Sequence, residues 1–231
     1  MLDSLLSAYS QAIRIFPTRF KRSLFKLVGV FPVSVPENFI YYPEVFAFEH
    51  KNELFMGTWQ SEKYFSNALT EVREQFKFKN ELISTQTENV LKELNSRNAV
   101  SIHIRRGDYL SPQYVNGFGN VCTIDYYKRA IEYINQKIEN PYFYIFTDDK
   151  AWVTENFHIA NSCFVVHNTG SDSWQDMFLM SNCKHNIIAN SSFSWWGAWL
   201  NSHPDKLVVA PKKWWNSFDN DDVVPIGWIR L

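Results

Sequence analysis

Short, uninterrupted apolar runs recur through the second half of the chain. "AVSIHI" (99–104), "YFYIF" (142–146), "CFVV" (163–166), "NIIA" (186–189) and "LVVA" (207–210) each have the length of a strand. They lack apolar/polar alternation, as expected of strands covered on both faces. The segments between them, 124–139, 149–157, 174–182 and 193–201, read as helices. Strand followed by helix at this spacing predicts an α/β fold built on a doubly wound, mostly parallel sheet.

The first hundred residues have another texture. Residues 67–95 read as two polar helices with Val90, Leu91 and Leu94 on an apolar side. Residues 32–50, rich in Pro, Phe and Tyr, predict an irregular connector or short strands. Further upstream, apolar residues alternate with Arg14, Arg19, Lys21, Arg22 and Lys26 around Pro17. That pattern fits two solvated helices, and it also fits a segment lying on an anionic membrane surface. The change of texture puts a domain cut near residue 97.

Composition narrows the function classes. With 231 residues and 45% hydrophobic content, the chain has enough apolar surface for a sizeable core. A net charge of −1 leaves no electrostatic footprint for general nucleic-acid binding. Aromatics reach 17%, with nine Trp, so some rings are available to line a pocket for a flat or sugar-like ligand. Cys122, Cys163 and Cys183 form no CxxC pair, which points to a reducing compartment and a cytoplasmic location. No signal peptide or apolar run of about 20 residues is evident.

In open α/β sheets ligands bind at the carboxyl ends of the strands. The first run ends in Arg105-Arg106-Gly107-Asp108-Tyr109, the second in Thr147-Asp148-Asp149, the fourth in Asn190-Ser191-Ser192. The expectation is that these clusters meet in one crevice. Strand alternation puts His103 and Arg105 on one side. The guanidinium fork of Arg matches phosphate oxygens; a salt bridge from Arg106 to Asp108 or Asp149 is the competing reading. Hydroxyls of Ser191, Ser192 and Ser194 at a helix start either hold a phosphate or cap the helix. Asp148 or Asp149 caps the next helix or fixes the arginines. Asp176 has the chemistry to accept from the hydrogen-bonding edge of guanine, but sits where exposed helix residues are common. Trp195, Trp196 and Trp199 follow at helical spacing and read as packing. No glycine-rich phosphate loop occurs. The six histidines show no metal-ligand spacing, so no metal is expected.

"HIRRGDY" resembles the HxRRxD motif of fucosyltransferases that use GDP-fucose. "FTDD", "DMFLMSNCKHNIIANSSFSWWGAWLN", "GTWQSEKYF" and "APKKWW" are similar to further motifs of the α-1,2-fucosyltransferases, glycosyltransferase family 11. The resemblance implies a GT-B-like architecture of two Rossmann-like halves and an inverting, metal-independent transfer of fucose from GDP-β-L-fucose to the 2-hydroxyl of a galactoside. It implies that Arg105 contacts the β-phosphate, that His103 and Asp176 face guanine, and that Ser192 with Ser191 supports the diphosphate. Asp108 is the candidate base. Residues 98–231 are then the GDP-fucose domain, and 1–97 a partial acceptor-side domain. Members of this family begin with a strand and a GGLGNQ-type loop, and this sequence contains no such segment. A binding-only fragment is therefore the alternative to an active enzyme. A third reading, adhesion through Arg106-Gly107-Asp108, requires an exposed flexible loop.

Overall fold

A computed structural model describes residues 31–34, 39–47, 52–165, 168–217 and 221–231. The basic N-terminal stretch lies outside the described residues, as does His167. The chain forms two compact units, Met1–Trp59 and Gln60–Leu231. In the first, β1 (Phe31–Ser34) pairs in parallel with β2 (Glu53–Met56), and a 3-10 turn, Pro43–Phe46, buries Val45.

The second unit opens with α1 (Leu69–Gln75) and α2 (Thr85–Asn95). There follow β3 (Asn98–Ile104), α3 (Ile124–Lys137), β4 (Pro141–Thr147), α4 (Lys150–Asn156) and β5 (Ser162–Phe164). Then come α5 (Trp174–Asn182), β6 (His185–Ile187), α6 (Ser192–Leu200), β7 (Val208–Ala210) and β8 (Ile229–Arg230). All pairings in the six-stranded sheet are parallel, in the order β5-β4-β3-β6-β7-β8. Counted from its first strand this is 3-2-1-4-5-6, the dinucleotide-binding order. The order reverses between β3 and β6, and the crevice at that switch point is where such sheets bind ligands.

The period of two within the strands sorts the core into two layers. Val100, Ile102 and Ile104 of β3 join Phe143 and Ile145 of β4 against Tyr126, Tyr127, Ala130 and Ile134 of α3. On the opposite face, Ala99, Tyr144 and Phe146 pack with Leu94 of α2 and Phe178, Leu179 and Met180 of α5. Leu94 is only 1% exposed. The two compact units meet between residues 59 and 60, and α2 closes one face of the sheet. The sheet also holds a buried polar link. Asn186 Nδ2 donates to Ser101 Oγ at 2.7 Å and Met180 O at 2.8 Å, and its Oδ1 accepts from Asn201 Nδ2 at 2.8 Å. These polar atoms are paired with one another or with backbone carbonyls, so the hydrogen bonds offset the desolvation cost of burial.

The tryptophans of α6 are packing residues. Trp195 is buried and its indole N–H donates to Val223 O at 2.7 Å. Trp199 donates to Glu62 at 3.1 Å, and Trp196 stacks on Phe76 at 4.7 Å. Gly197 lets α6 approach α5: a Cβ there would sit 2.9 Å from Met180 Cβ.

Candidate functional site

A cavity of about 420 Å³ opens at the switch point. His103, Arg105, Asp108, Asp148, Asp176, Ser191 and Ser192 all line it. They come from the ends of β3 and β4 and from the starts of α5 and α6, so three of the sequence-predicted clusters converge as expected. Two predicted residues lie elsewhere. Arg106 faces a second cavity, and Ser194 is 1% exposed, with its hydroxyl directed at Ala189 O and Ser191 O at 3.5 and 3.3 Å. The helical register turns Ser194 back onto the chain before α6, away from the cavity.

Asp148 organises the loop after β3. Its Oδ1 accepts from the Arg106 backbone N–H at 3.0 Å, and its Oδ2 lies 3.2 Å from a terminal nitrogen of Arg105. The Arg105 Nε donates to Asp108 Oδ1 at 2.9 Å. Burial pulls the Arg105 pKa down, but Asp108 and Asp148 more than offset it and the net shift is upward. Arg105 is thus held as a cation, aimed by two carboxylates at the cavity wall. Arg106 takes the salt-bridge reading. Its Nε donates to Asp149 at 3.2 Å and its guanidinium lies 3.6 Å from the centre of the Trp152 ring. Asp149 fills both roles foreseen for the TDD cluster, since its other oxygen caps α4 by accepting from Trp152 N–H at 3.0 Å.

The start of α6 borders the cavity. Ser191 is the N-cap residue but makes no side-chain capping bond, unlike Ser84, Thr123 and Asp149 on α2, α3 and α4. Helix-start N–H groups and the Ser192 hydroxyl therefore border a space flanked by Arg105, a combination suited to an anion. At the other side of the cavity Asp176 is 2% exposed, not the exposed helix residue its pattern suggested. Asn168 holds it, through Nδ2 at 2.6 Å and through its backbone N–H at 3.3 Å. His103, 6% exposed, lies with its ring 5.8 Å from Phe193.

Sequence reasoning missed Asn168 as part of the site, and it placed Tyr109 and Asn190 in the strand-end clusters without giving them a role. Tyr109 donates to Asn190 O at 3.0 Å, and burial pushes its hydroxyl pKa up to about 12. Asn168 follows β5, so the strand-end rule, applied to the third apolar run as it was to the others, would have found it.

Among the described residues, no group of three or more His, Cys, Asp or Glu is placed to hold a metal ion, and no helix is long and apolar enough to cross a membrane. Comparison with known proteins agrees with the motif resemblance. The profile of glycosyl transferase family 11 matches residues 41–231. The chain is 44% identical over 135 residues to the O-antigen biosynthesis glycosyltransferase WbnK of Escherichia coli, covering 58% of this chain and 45% of that protein. It is 38% identical over 184 residues to an alpha-1,2-colitosyltransferase of Escherichia coli, covering 77% and 62%. With galactoside alpha-(1,2)-fucosyltransferase 1 of Ateles belzebuth the identity is 25% over 202 residues, covering 75% and 54%. The matched regions thus span 45 to 62% of the length of these relatives. On the profile match and these motifs, the chain belongs to glycosyl transferase family 11.

Proposed function

We propose that the protein works in surface-glycan synthesis as an inverting glycosyltransferase, moving fucose from GDP-β-L-fucose to the 2-hydroxyl of a galactoside. In this reading the six-stranded sheet, residues 98–231, is the donor half of a GT-B-type pair. The observation that carries the reading is the convergence of Arg105, the serines at the start of α6 and buried Asp176 on one cavity at the switch point.

The chemistry follows from the charges. GDP is a good leaving group, so its departure requires stabilisation of negative charge on the β-phosphate more than protonation. Arg105 and the helix start supply that without a metal. His103 and Asp176 lie along the same cavity and take the base, with the Asp176 carboxylate as acceptor for guanine donors. The acceptor oxygen attacks the anomeric carbon as its bond to the β-phosphate breaks, through an oxocarbenium-like state. Asp108, partly exposed and on the same cavity, takes the hydroxyl proton once the diphosphate competes for Arg105. Donor use of this kind goes with a cytoplasmic location and peripheral contact with the inner membrane surface.

A second donor has support of its own: the relative named alpha-1,2-colitosyltransferase aligns with 77% of the chain. Calorimetry with GDP, beside transfer assays to lactose from GDP-fucose and from GDP-linked colitose, separates the readings. Turnover with one donor identifies it. GDP binding without turnover from either marks a binding-only form. Absence of GDP binding sinks the donor-site assignment.

A further inference from the structure

A second cavity, of about 360 Å³, lies on the other side of Arg105 and Tyr109, which line both spaces. Its volume falls within the roughly 300–1,000 Å³ typical of small-molecule pockets. From the geometry of this space we infer a binding site for one neutral pyranose ring of the acceptor glycan; the inference rests on the glycosyltransferase reading above.

The walls are built rather than incidental. The segment between β3 and α3 carries only a short 3-10 turn, Asp108–Leu110, yet it is tied down along its length. Long loops of this kind are usually functional. Asn190 Nδ2 donates to Phe118 O and Trp214 O, each at 3.1 Å. Asn216 donates from its backbone to Gly117 O at 2.9 Å and from its side chain to Gly119 O at 2.8 Å. The Phe118 ring stacks on Tyr109 at 5.0 Å and meets Trp215 edge-on at 4.3 Å. Gly117 permits that contact, since a Cβ there would lie 2.4 Å from the Trp215 ring. A wall fixed in this way binds without an ordering cost.

The lining chooses the ligand. Tyr109, Phe118 and Trp152 offer aromatic surface, and Asn120 and the arginines offer polar contacts at the same space. That mixture suits a sugar, which has both CH and hydroxyl faces. Charge argues against a second phosphate group. The helix start on this cavity, that of α3, is already capped by the Thr123 side chain, unlike the start of α6 on the first cavity, and Arg106 is held by Asp149. The donors that suit the first cavity to an anion are thus engaged here, which favours a neutral polyol. The shared wall of Arg105 and Tyr109 sets this ring beside the proposed donor.

Leu110 gives a clean test. It lines the second cavity only, and its side chain is 42% exposed at the rim. Leu110→Trp fills the space, and its thermal unfolding and GDP affinity report whether the fold and the first cavity are intact. Saturation-transfer NMR would be recorded with lactose and with the methyl glycosides of galactose, glucose and their N-acetylamino forms, with and without GDP. The expected result is a signal from at least one glycoside in the wild type, weakened at least 10-fold in Leu110→Trp, with GDP affinity unchanged. No glycoside signal in the wild type, or equal signals in both proteins, overturns the inference. So does a Leu110→Trp loss confined to GDP-fucose relative to GDP, which would assign the space to the donor sugar. Failure of the wild type to bind GDP refutes the donor-site reading instead, and the glycoside signals still decide the subsite.

Discussion

Gly107 and Asp148 are packed so closely that a Cβ built on Gly107 would lie 2.7 Å from Asp148 Oδ2. This contact explains the Arg-Gly-Asp tripeptide without adhesion. Arg106 is tied to Asp149 and Trp152, Asp108 is tied to Arg105, and the glycine exists to admit Asp148. In Gly107→Ala, Asp148 must retreat and loosen its hold on the Arg106 N–H and on Arg105. The variant should lose about 1–3 kcal/mol in urea unfolding, as for overpacked sites, and bind GDP at least 10-fold more weakly by calorimetry. Full GDP affinity would show that Asp148 does not set the loop.

The two arginines should separate cleanly. Arg105 lines the proposed donor cavity, whereas Arg106 does not. Arg105→Ala is expected to weaken GDP binding by about 1.5–3 kcal/mol, the worth of a hydrogen bond to a charged group. Arg105→Lys keeps the charge but loses the fork, and should recover only part of that. Arg106→Ala should change GDP affinity less than 5-fold while lowering stability through the lost Asp149 and Trp152 contacts. Equal losses at both positions would refute the division of roles.

The serines offer the same contrast. Ser194 donates only to nearby carbonyls at long range, so Ser194→Ala should cost at most about 1 kcal/mol of stability and leave GDP affinity intact. Ser191→Ala and Ser192→Ala, at the helix start beside the cavity, should each weaken GDP binding several-fold. A calorimetric series on the three variants decides it.

Much of this arrangement was legible because apolar runs and their polar tails are local signals. The run 99–104 matches β3, and the segment 174–182 coincides with α5. The placement of His103 with Arg105 followed from strand alternation alone. What escaped was set by tertiary contact. β8 is two residues long and is defined only by pairing with β7. The burial of Asp176 depends on its place in the fold and on Asn168, eight positions earlier and beyond the end of a strand. Ser191, Ser192 and Ser194 read alike as letters, and only the turn of α6 distinguishes those on the cavity from the one facing the backbone. The second cavity had no linear signature, because its walls come from three separate segments.

Base selectivity should reside in Asp176. Asn168 fixes the carboxylate through Nδ2 and backbone N–H, so its position is preorganised. Asp176→Asn puts a donor where guanine needs an acceptor and where Asn168 already donates. The expected outcome is loss of preference for GDP over ADP in competition calorimetry, with a smaller loss of stability. An unchanged GDP-to-ADP ratio would remove Asp176 from the base site.

Acid stability should depend on His185, at the opposite end of the sheet from the cavity. His185 is 5% exposed, and its Nδ1 accepts from Leu207 N–H at 3.0 Å, a bond that needs the neutral ring. Burial, reinforced by His203 and Lys184, lowers its pKa to about 4. The unfolded chain takes up this proton near pH ~6.5. Between those values the unfolded state binds a proton that the folded state refuses, so stability falls as pH drops through the window. The contribution is fully present above about pH 6.5 and fully lost below about pH 4. His185→Asn keeps an acceptor for Leu207 and does not titrate. Urea midpoints measured from pH 7.5 down to 4.5 should therefore fall less steeply in the variant than in the wild type, while GDP affinity at neutral pH stays the same. Parallel slopes would mean that other groups govern the acid transition.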